Sequence, residues 1–270
     1  MAIKSKVSSL LRKLHLLAFA EQLRFIIHRL RFRKANKSFK KTHPLIIFPP
    51  DYLVYETYKL NLKEYLHDGQ ATAAEIVKIV SKYFTLSAPG IKILDWGCGP
   101  GRIVRHLPVL APQAIIYATD YNKEYVKWCR DNLKLIHCSF NSIHPPMDYE
   151  DSSFDVVIGI SIFTHLSRQN HIAWINELKR IIRPGGIAYI TTQGQSYHSK
   201  LLVSEQLKFD NGELVTRENI LEGNRLFSAF QPPEFMKQLI TDKFEIGEFI
   251  SSASTVGSSA QDTWVLKRIF

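Results

Sequence analysis

Glycine stands at every second position of one short segment that follows an apolar run. Residues 91–102 read Ile-Lys-Ile-Leu-Asp-Trp-Gly-Cys-Gly-Pro-Gly-Arg, in which Asp95 is followed by Gly97, Gly99 and Gly101. Because glycine has no Cβ, a ligand can approach this backbone closely. A strand, a glycine-rich turn and a helix in succession are typical of the first crossover of a Rossmann-like sheet, where ligands bind. The segment therefore predicts a nucleotide-like binding site.

Two residues argue against a dinucleotide at this site. The dinucleotide fingerprint G-x-G-x-x-G would need glycine at position 102, where this chain has Arg102. The carboxylate of Asp95 would repel a pyrophosphate, but it suits a ligand that carries an ammonium group.

The pattern Asp-x-Gly-x-Gly-x-Gly resembles the cofactor loop of class I S-adenosylmethionine (SAM) methyltransferases. The resemblance implies that SAM is the cofactor and S-adenosylhomocysteine the product. It also implies that the loop residues Asp95, Gly97, Cys98, Gly99 and Gly101 contact the cofactor.

Polar residues at the ends of later strands complete the implied cofactor site. The spacing along the chain from the glycine loop to Asp120 is close to that expected of an acid that binds ribose hydroxyls. A solvated Asp at the end of a strand would give the same pattern. Tyr121 or Asn122 could flank the adenine. In the family a residue near Asn141 often contacts the adenine amino group, and an ordinary turn Asn is the alternative. Ser161, which follows the fourth strand, is also predicted to bind the cofactor.

Strand-like and helix-like patterns alternate after residue 91 and predict the fold. The strand candidates are 91–95, 114–119, 133–137, 154–160 and 187–192, and the clearest helices are 123–133 and 168–182. Such alternation favours a parallel sheet that is covered on both faces. Segments 244–250 and 263–269 read as an antiparallel hairpin. We therefore predict an α/β, Rossmann-like doubly wound sheet with this C-terminal hairpin and an N-terminal helical extension.

Three regions are predicted along the chain: a basic helical arm (1–42), a helical lead-in segment (43–90) and a SAM-binding domain (91–270). Within the lead-in segment, residues 51–66 are predicted to form a helix, and Gly69 is predicted to terminate it. A capping-box pattern, Thr72 and Glu75, predicts that a second helix follows; its core face is Ile76, Val77, Val80 and Phe84.

The arm carries nearly all of the net charge of +10. Residues 1–42 contain twelve Lys and Arg against one acid, Glu21, so the remainder of the chain is close to neutral. Residues 7–33 are predicted to form a basic amphipathic helix; its apolar positions are Leu10, Leu14, Leu17, Leu23, Ile27 and Leu30. Three interpretations remain open: packing on the core or on a second copy in a homodimer, docking on an anionic membrane surface, or contact with RNA.

The sequence favours a cytoplasmic protein that is peripheral, at most, to the inner face of a membrane. Basic residues interrupt the apolar run before Ala18-Phe19-Ala20, so a signal peptide is not expected, and no stretch approaches the roughly 20 apolar residues of a membrane span. The three cysteines suggest neither a disulfide framework nor a metal site, and no metal is expected.

His165 is the candidate catalytic residue, because it follows the fourth strand at the edge where open α/β sheets place their ligands. An imidazole titrates near neutral pH and could take a proton from an acceptor hydroxyl. A helix-capping or packing role is the alternative. Tyr197 and His198 could also face the acceptor, and Tyr55 and Tyr58 could close the pocket from above, although core packing is the commoner fate of such aromatics.

Several features bear on the acceptor. After the fourth strand, Ser161-Ile162-Phe163-Thr164 replaces the Asn/Asp-Pro-Pro-aromatic motif of amino-methylating DNA enzymes, and the Pro-Cys nucleophile of cytosine-C5 enzymes is absent. Residues 163–166, with the proline pair upstream and Gln261-Asp262, resemble a bacterial subgroup associated with surface-polysaccharide systems. The implied reaction is methyl transfer to a hydroxyl of a glycan precursor or another small molecule. An RNA methyltransferase and a non-catalytic scaffold are the alternatives.

Overall fold

A seven-stranded β-sheet forms the centre of the computed structural model, which describes residues 17–217, 221–252 and 261–270. The strands are β1 (Lys92–Trp96), β2 (Ile115–Asp120), β3 (Ile136–Phe140), β4 (Phe154–Gly159), β5 (Ile182–Thr192), β6 (Val215–Arg217), β7 (Ser228–Phe230), β8 (Phe244–Ile250) and β9 (Asp262–Arg268). The order across the large sheet is β3-β2-β1-β4-β5-β9-β8, and β6 and β7 form a separate pair.

The large sheet confirms the predicted fold class. Strands β1 to β5 are parallel, whereas β9 is antiparallel to both β5 and β8. The chain order reverses between β1 and β4, so a crevice opens at the carboxyl ends of these two strands, where open α/β sheets bind ligands. The loops that follow β1, β2 and β4 therefore converge on one region.

Helices cover both faces of the sheet. They are α1 (Leu17–Thr42), α2 (Asp51–Thr57), α3 (Leu62–Val80), α4 (Leu107–Leu110), α5 (Lys123–Asn132), α6 (Arg168–Ile181), α7 (Val203–Asp210) and α8 (Pro233–Ile240). Helices α3, α4 and α5 pack on one face and α6 and α8 on the other. On the second face, Trp174 of α6 packs against Trp96 of β1 with ring centroids 4.6 Å apart. These buried faces fix the ends of β1 and β4.

The lead-in segment differs from its prediction. The expected helix over 51–66 is divided into α2 and α3. Helix α3 begins after Asn61, whose side chain accepts hydrogen bonds from two backbone N–H groups of the first turn, a local signal that outweighs propensity.

The predicted helix end at Gly69 is wrong, because Gly69 lies inside α3. A Cβ at this position would lie 2.3 Å from the carbonyl oxygen of Arg102, so close packing on the glycine loop requires glycine. The predicted capping box is also wrong, since Thr72 lies within the helix and donates to the carbonyl oxygen of Asp68 at 2.7 Å.

Helix α1 departs from the predicted arm in length and orientation. It continues to Thr42, well beyond residue 33; Leu10 and Leu14 lie outside the described residues. Leu23, Ile27 and Leu30, three of the predicted apolar positions, are 49%, 55% and 65% exposed, so they do not pack on the core of this chain. No helix in the described part of the chain combines the length and apolar composition needed to cross a membrane.

The opposite face of α1 packs on the body of the protein. Phe25 contacts Tyr52 and Tyr55, with ring centroids 5.5 and 5.3 Å apart. Asn36 is buried; its side chain donates to the carbonyl oxygen of Leu60 and accepts from the N–H of Leu62. An aromatic and polar face therefore attaches the helix, and an aliphatic face remains in solvent.

The segment between β5 and β8 was not assigned from the sequence. It contains α7, the β6–β7 pair and α8. Residues 221–227, which precede β7, contain no regular secondary structure beyond turns and bends and reach the ends of β2 and β4. Strand β5 begins at Ile182, before the predicted start at residue 187, so Pro184, Gly185 and Gly186 lie inside it and accompany an irregular register with β4.

Candidate functional site

The glycine loop is folded tightly over the ends of β1 and β2. The N–H groups of Gly97 and Cys98 both donate to the carbonyl oxygen of Thr119, at 2.7 and 3.0 Å. Gly97 has φ of +73°, and a Cβ there would lie 2.0 Å from the side chain of Ile162. The loop backbone consequently forms one wall of a cavity.

Asp95, at the end of β1, is a buried carboxylate that lacks a full set of partners. Its Oδ2 atom is buried without a hydrogen bond. Burial raises the pKa of Asp95 to about 7, and the nearby Arg102 guanidinium opposes this rise. A cationic ligand would supply the missing partner and favour the ionised form.

Arg102 lies beside Asp95 at the same cavity. Its guanidinium stands over the ring of Tyr58, 4.6 Å from the centroid, and burial lowers its pKa. The hydroxyl of Tyr58 donates to Asp68 at 2.5 Å. An acid and a base thus face one end of the cavity, an arrangement suited to the ammonium and carboxylate groups of an amino acid.

Asp120, at the end of β2, is held by the backbone. Its Oδ2 accepts from the N–H of Gly99 at 2.9 Å and its Oδ1 from the N–H of Asn122 at 2.8 Å. Burial raises the pKa of Asp120 to about 6 in spite of these bonds. Each carboxylate oxygen keeps a second lone pair, so both can accept from ligand hydroxyls.

A cavity of about 290 Å³, which we call the large cavity, joins these groups. Eight of the ten residues predicted for the site line it: Asp95, Gly97, Cys98, Gly99, Asp120, Tyr121, Ser161 and His165. A smaller cavity of about 60 Å³, which shares Gly97, Asp120, Tyr121 and His165 with it, is lined by Asn141. Gly101 lines neither cavity and packs beneath the loop, because a Cβ there would lie 2.6 Å from Leu133.

The polar side chains of the smaller cavity are already oriented. Asn141 accepts from the hydroxyl of Thr119 at 2.9 Å and donates to the carbonyl oxygen of Ser142 at 2.7 Å. The cavity is flanked by Trp96 and Trp174 and by aliphatic side chains, so it suits a flat, largely apolar ring. Asn141 keeps an acceptor lone pair for an amino group on that ring.

Ser161 follows β4 with φ of +62°. Its N–H donates to the hydroxyl of Thr191 at 2.8 Å, and its Oγ accepts from the side chain of Gln261 at 2.5 Å. These contacts tie the turn after β4 to β5 and to the start of β9. The Ser161 turn therefore holds the loop that carries His165.

His165 lies at the boundary of both cavities. Its Nδ1 is 2.9 Å from the carbonyl oxygen of Phe227, and since a carbonyl only accepts, Nδ1 carries the proton. The neutral ring then presents Nε2 as an acceptor. Burial lowers the pKa of His165 and so favours the neutral form. This is the state that a general base requires.

Residues 221–227 form a loop over the site that the sequence did not indicate. Gly223 donates through its N–H to the carbonyl oxygen of His165 and accepts from the hydroxyl of Tyr121, both at 2.9 Å. Arg225 lines the large cavity and donates to the carbonyl oxygen of Tyr55 at 3.0 Å. These residues have no periodic pattern or motif, so nothing in the sequence signals their position.

Of the further residues predicted to face the acceptor or close the pocket, only one lines either cavity in the described structure. Tyr58 lines the large cavity together with Glu56 and Thr57 of α2, which the sequence did not single out. Tyr55, by contrast, is buried beneath α1. Tyr197 and His198 do not line either cavity: Tyr197 packs near Phe230, and His198 lies 3.0 Å from Asp210. A role of these two residues at the acceptor stays a prediction.

The site fits SAM group by group. The unpartnered oxygen of Asp95 faces a place for an ammonium group, Asp120 offers acceptors for ribose hydroxyls, and the glycine loop leaves room for the backbone to approach. Within the described residues, His, Cys, Asp and Glu form no cluster that could hold a metal ion.

Comparison with known proteins points to the same chemistry. Residues 93–186 match the family model described as "Methyltransferase domain". An uncharacterized methyltransferase of Schizosaccharomyces pombe is 32% identical over 106 residues, covering 35% of this chain and 37% of the relative. O-methyltransferase 3 of Dictyostelium discoideum is 24% identical over 183 residues, covering 64% and 40%. Residues 93–186 of this chain therefore form a SAM-dependent methyltransferase domain.

A solved SAM-dependent methyltransferase from Methanosarcina mazei has the same fold as this methyltransferase. The two align with a TM-score of 0.55 and 21% identity, over 71% of this chain and 97% of the other. The cofactor of the family, SAM, is the one that the site fits. The chain spans only 37% and 40% of the lengths of the two curated relatives, whose names specify no shared acceptor.

Proposed function

We propose that this methyltransferase transfers the methyl group of SAM to a hydroxyl of a glycan precursor or another small molecule. The observation that carries the proposal is the state of His165. Its Nδ1–H is fixed on the carbonyl oxygen of Phe227, so Nε2 is the acceptor nitrogen of a side chain that lines the cavity. A base is needed when the acceptor is a hydroxyl, and the lowered pKa of His165 keeps it neutral.

The residues around the cavity would divide the cofactor between them. Asp95 would hold the ammonium group, Arg102 the carboxylate and Asp120 the ribose hydroxyls. Tyr121 and Asn141 would contact the adenine in the smaller cavity. When bound, SAM supplies a methyl group that is already activated on its sulfonium.

The protein's own task is alignment and proton removal. The acceptor oxygen forms a bond to the methyl carbon as the carbon–sulfur bond breaks, and Nε2 of His165 takes the hydroxyl proton. Residues 221–227 cover the site and exclude water. In-line displacement depends chiefly on such positioning.

The test combines cofactor binding with acceptor screening. Calorimetry with SAM and S-adenosylhomocysteine should give saturable binding, and radiolabelled methyl groups should reach a lipid-linked or soluble glycan fraction. His165→Ala should bind SAM normally and lose transfer. Absence of cofactor binding would instead support a non-catalytic scaffold.

RNA methylation is the second candidate, and the charge of α1 favours it. Eight Lys and Arg residues lie in 17–42 against the single acid Glu21, and all eight are exposed. If labelled methyl groups entered RNA rather than glycan, with binding that falls steeply as salt rises, the RNA function would replace the glycan proposal.

A further inference from the structure

The outward face of α1 has two chemically distinct halves. The first half exposes Phe19, Leu23, Ile26, Ile27 and Leu30. The second half exposes Arg33, Lys34, Lys37, Lys40 and Lys41. We call these ten residues the outer face of α1. At about 1.5 Å per residue, the apolar half spans roughly three turns before the basic half begins.

This face has little charge compensation on the protein itself. The one acid of the helix, Glu21, points inward to Arg225 and to the hydroxyl of Tyr55. Arg29 pairs with Asp51 at 3.3 Å, at the edge of the face. Within the described residues, the five cations of the basic half form no ion pair.

A groove runs along the basic half. It has a volume of about 600 Å³ and is lined by four cations (Arg29, Arg33, Lys37 and Lys40), by Ile26 and Leu30, and by Asn36 and one acid, Asp51, which pairs with Arg29. Cations and aliphatic side chains thus meet in one concave surface. Lipid headgroups that carry phosphate, with acyl chains beside them, match that combination.

We propose that the outer face of α1 docks on an anionic bilayer surface. The apolar half enters the boundary between headgroups and acyl chains, and the basic half contacts the phosphates. The aromatic inner face remains on the body of the protein, so docking needs no rearrangement of α1. RNA would be matched by the cations alone and would leave the five exposed apolar side chains without a partner.

Docking in this orientation keeps the methyl-transfer site on the side of α1 that faces away from the bilayer. Glu21, on the first half of α1, contacts Arg225, which lines the large cavity. Because Glu21 points inward, the part of the cavity wall that Arg225 forms lies behind α1, one helix diameter (~10 Å) from the docked face.

Flotation of the full chain on vesicles tests the proposal. The protein should float with vesicles of phosphatidylglycerol and phosphatidylcholine, remain in solution with phosphatidylcholine alone, and bind at least tenfold more weakly in 0.5 M salt. A Leu23→Ser, Ile27→Ser, Leu30→Ser variant and a Lys34→Glu, Lys37→Glu, Lys41→Glu variant should each lower the partition coefficient at least tenfold.

Matched controls separate the outer face from exposure or charge in general. Val109→Ser, Leu135→Ser and Val203→Ser remove three comparably exposed aliphatic residues elsewhere, and Lys63→Glu, Lys78→Glu and Lys208→Glu reverse three other exposed charges. Both controls should float as the wild type does. Unchanged circular dichroism and SAM affinity would show that each variant is folded.

Three results would overturn the proposal. The first is a wild type that does not float with anionic vesicles. The second is a loss of vesicle binding in the control variants equal to that in the outer-face variants. The third is a protein that does not bind vesicles but forms a dimer in sedimentation equilibrium, which the Ser variant abolishes. Flotation does not require methyl transfer, so a His165→Ala protein that floats separates failure of the enzyme proposal from failure of docking.

Discussion

The carboxylate of Glu21 on α1 lies 3.1 Å from the guanidinium of Arg225, and Arg225 lines the large cavity. Glu21 also accepts from the hydroxyl of Tyr55 at 3.1 Å, and Arg225 stands over the ring of Tyr55 at 4.5 Å. The N-terminal helix is therefore joined to the wall of the cofactor site.

A double-mutant cycle measures this link. Glu21→Gln and Arg225→Gln should show a coupling of about 1 kcal/mol in urea unfolding, because their side chains are only 14% and 27% exposed. The control pair is Arg29 on α1 and Asp51 on α2, whose side chains are 64% and 31% exposed. Because this pair is more exposed, it should couple by less than about 0.5 kcal/mol. Equal couplings in the two cycles would contradict a specific link.

Asp95→Asn should have opposite effects on cofactor binding and on stability. Removing a charged partner of the ammonium group should weaken SAM binding by about 10- to 100-fold. The same change removes a carboxylate whose burial opposes ionisation, so the protein without cofactor should melt at a higher temperature at pH 8. Asp242→Asn, at an exposed position with φ of +63°, is the control and should change neither the SAM affinity nor the melting temperature.

The sign of the pH dependence follows from the raised pKa of Asp95. The native value of about 7 lies above that of an unfolded Asp, so the native state binds more protons between about pH 4 and pH 7. The contribution of Asp95 to stability therefore falls as the pH rises through this range. SAM affinity should move the other way and decrease as the pH falls below about 7. A SAM affinity that is flat from pH 5.5 to pH 8 would be inconsistent with this role.

His165→Ala should lower kcat by about 10²- to 10⁴-fold and leave the SAM dissociation constant unchanged. In the wild type, burial lowers the pKa of His165, so the base stays neutral and the acid limb of the kcat profile should lie below pH 6.5. His137→Ala, on the exposed edge of β3, is the control. Unchanged turnover of His165→Ala between pH 6 and pH 9 would remove the proposed base.

Asn36→Ala should destabilise the attachment of α1. The substitution leaves the carbonyl of Leu60 and the N–H of Leu62 without their partner, at a cost of about 2 kcal/mol in the free energy of unfolding. Urea denaturation and tryptic cleavage at the basic residues of α1 measure the effect. Ser38→Ala, an exposed position on the same helix, should leave both unchanged.

Gly223→Ala should lower SAM affinity as well as stability. Gly223 has φ of +81°, and a Cβ would lie 2.4 Å from the end of the Ile143 side chain, so either that side chain, which lines the smaller cavity, or the loop must shift. Gly212 also has a positive φ, so Gly212→Ala should lower the free energy of unfolding by a similar amount, about 1 kcal/mol. A Cβ at Gly212 would lie 3.4 Å from its nearest neighbour, and this position is distant from the cavity. If calorimetry gave equal SAM affinities for the two variants, residues 221–227 would not cover the cofactor.

The sequence predicts the order along the chain of the strands in the large sheet because its signals are local, although the third strand lies at Ile136–Phe140 and not at the predicted 133–137. Buried parallel strands such as β4 are continuous apolar runs, and glycine and proline punctuate them. The helix boundaries near Gly69 were predicted wrongly for the opposite reason. Whether a glycine ends a helix or admits a neighbour depends on what packs against it, here the backbone of Arg102.

By itself, the sequence determined the parallel sheet, the glycine loop and the acids at the ends of β1 and β2, since each depends on residue type and short-range spacing. The tertiary structure decided which face of α1 is buried, because both the Phe25 face and the Leu23 face are apolar and only the contacts with Tyr52 and Tyr55 distinguish them. It also decided the surroundings of His165, since Phe227 and Gly223 reach it through contacts between distant parts of the chain.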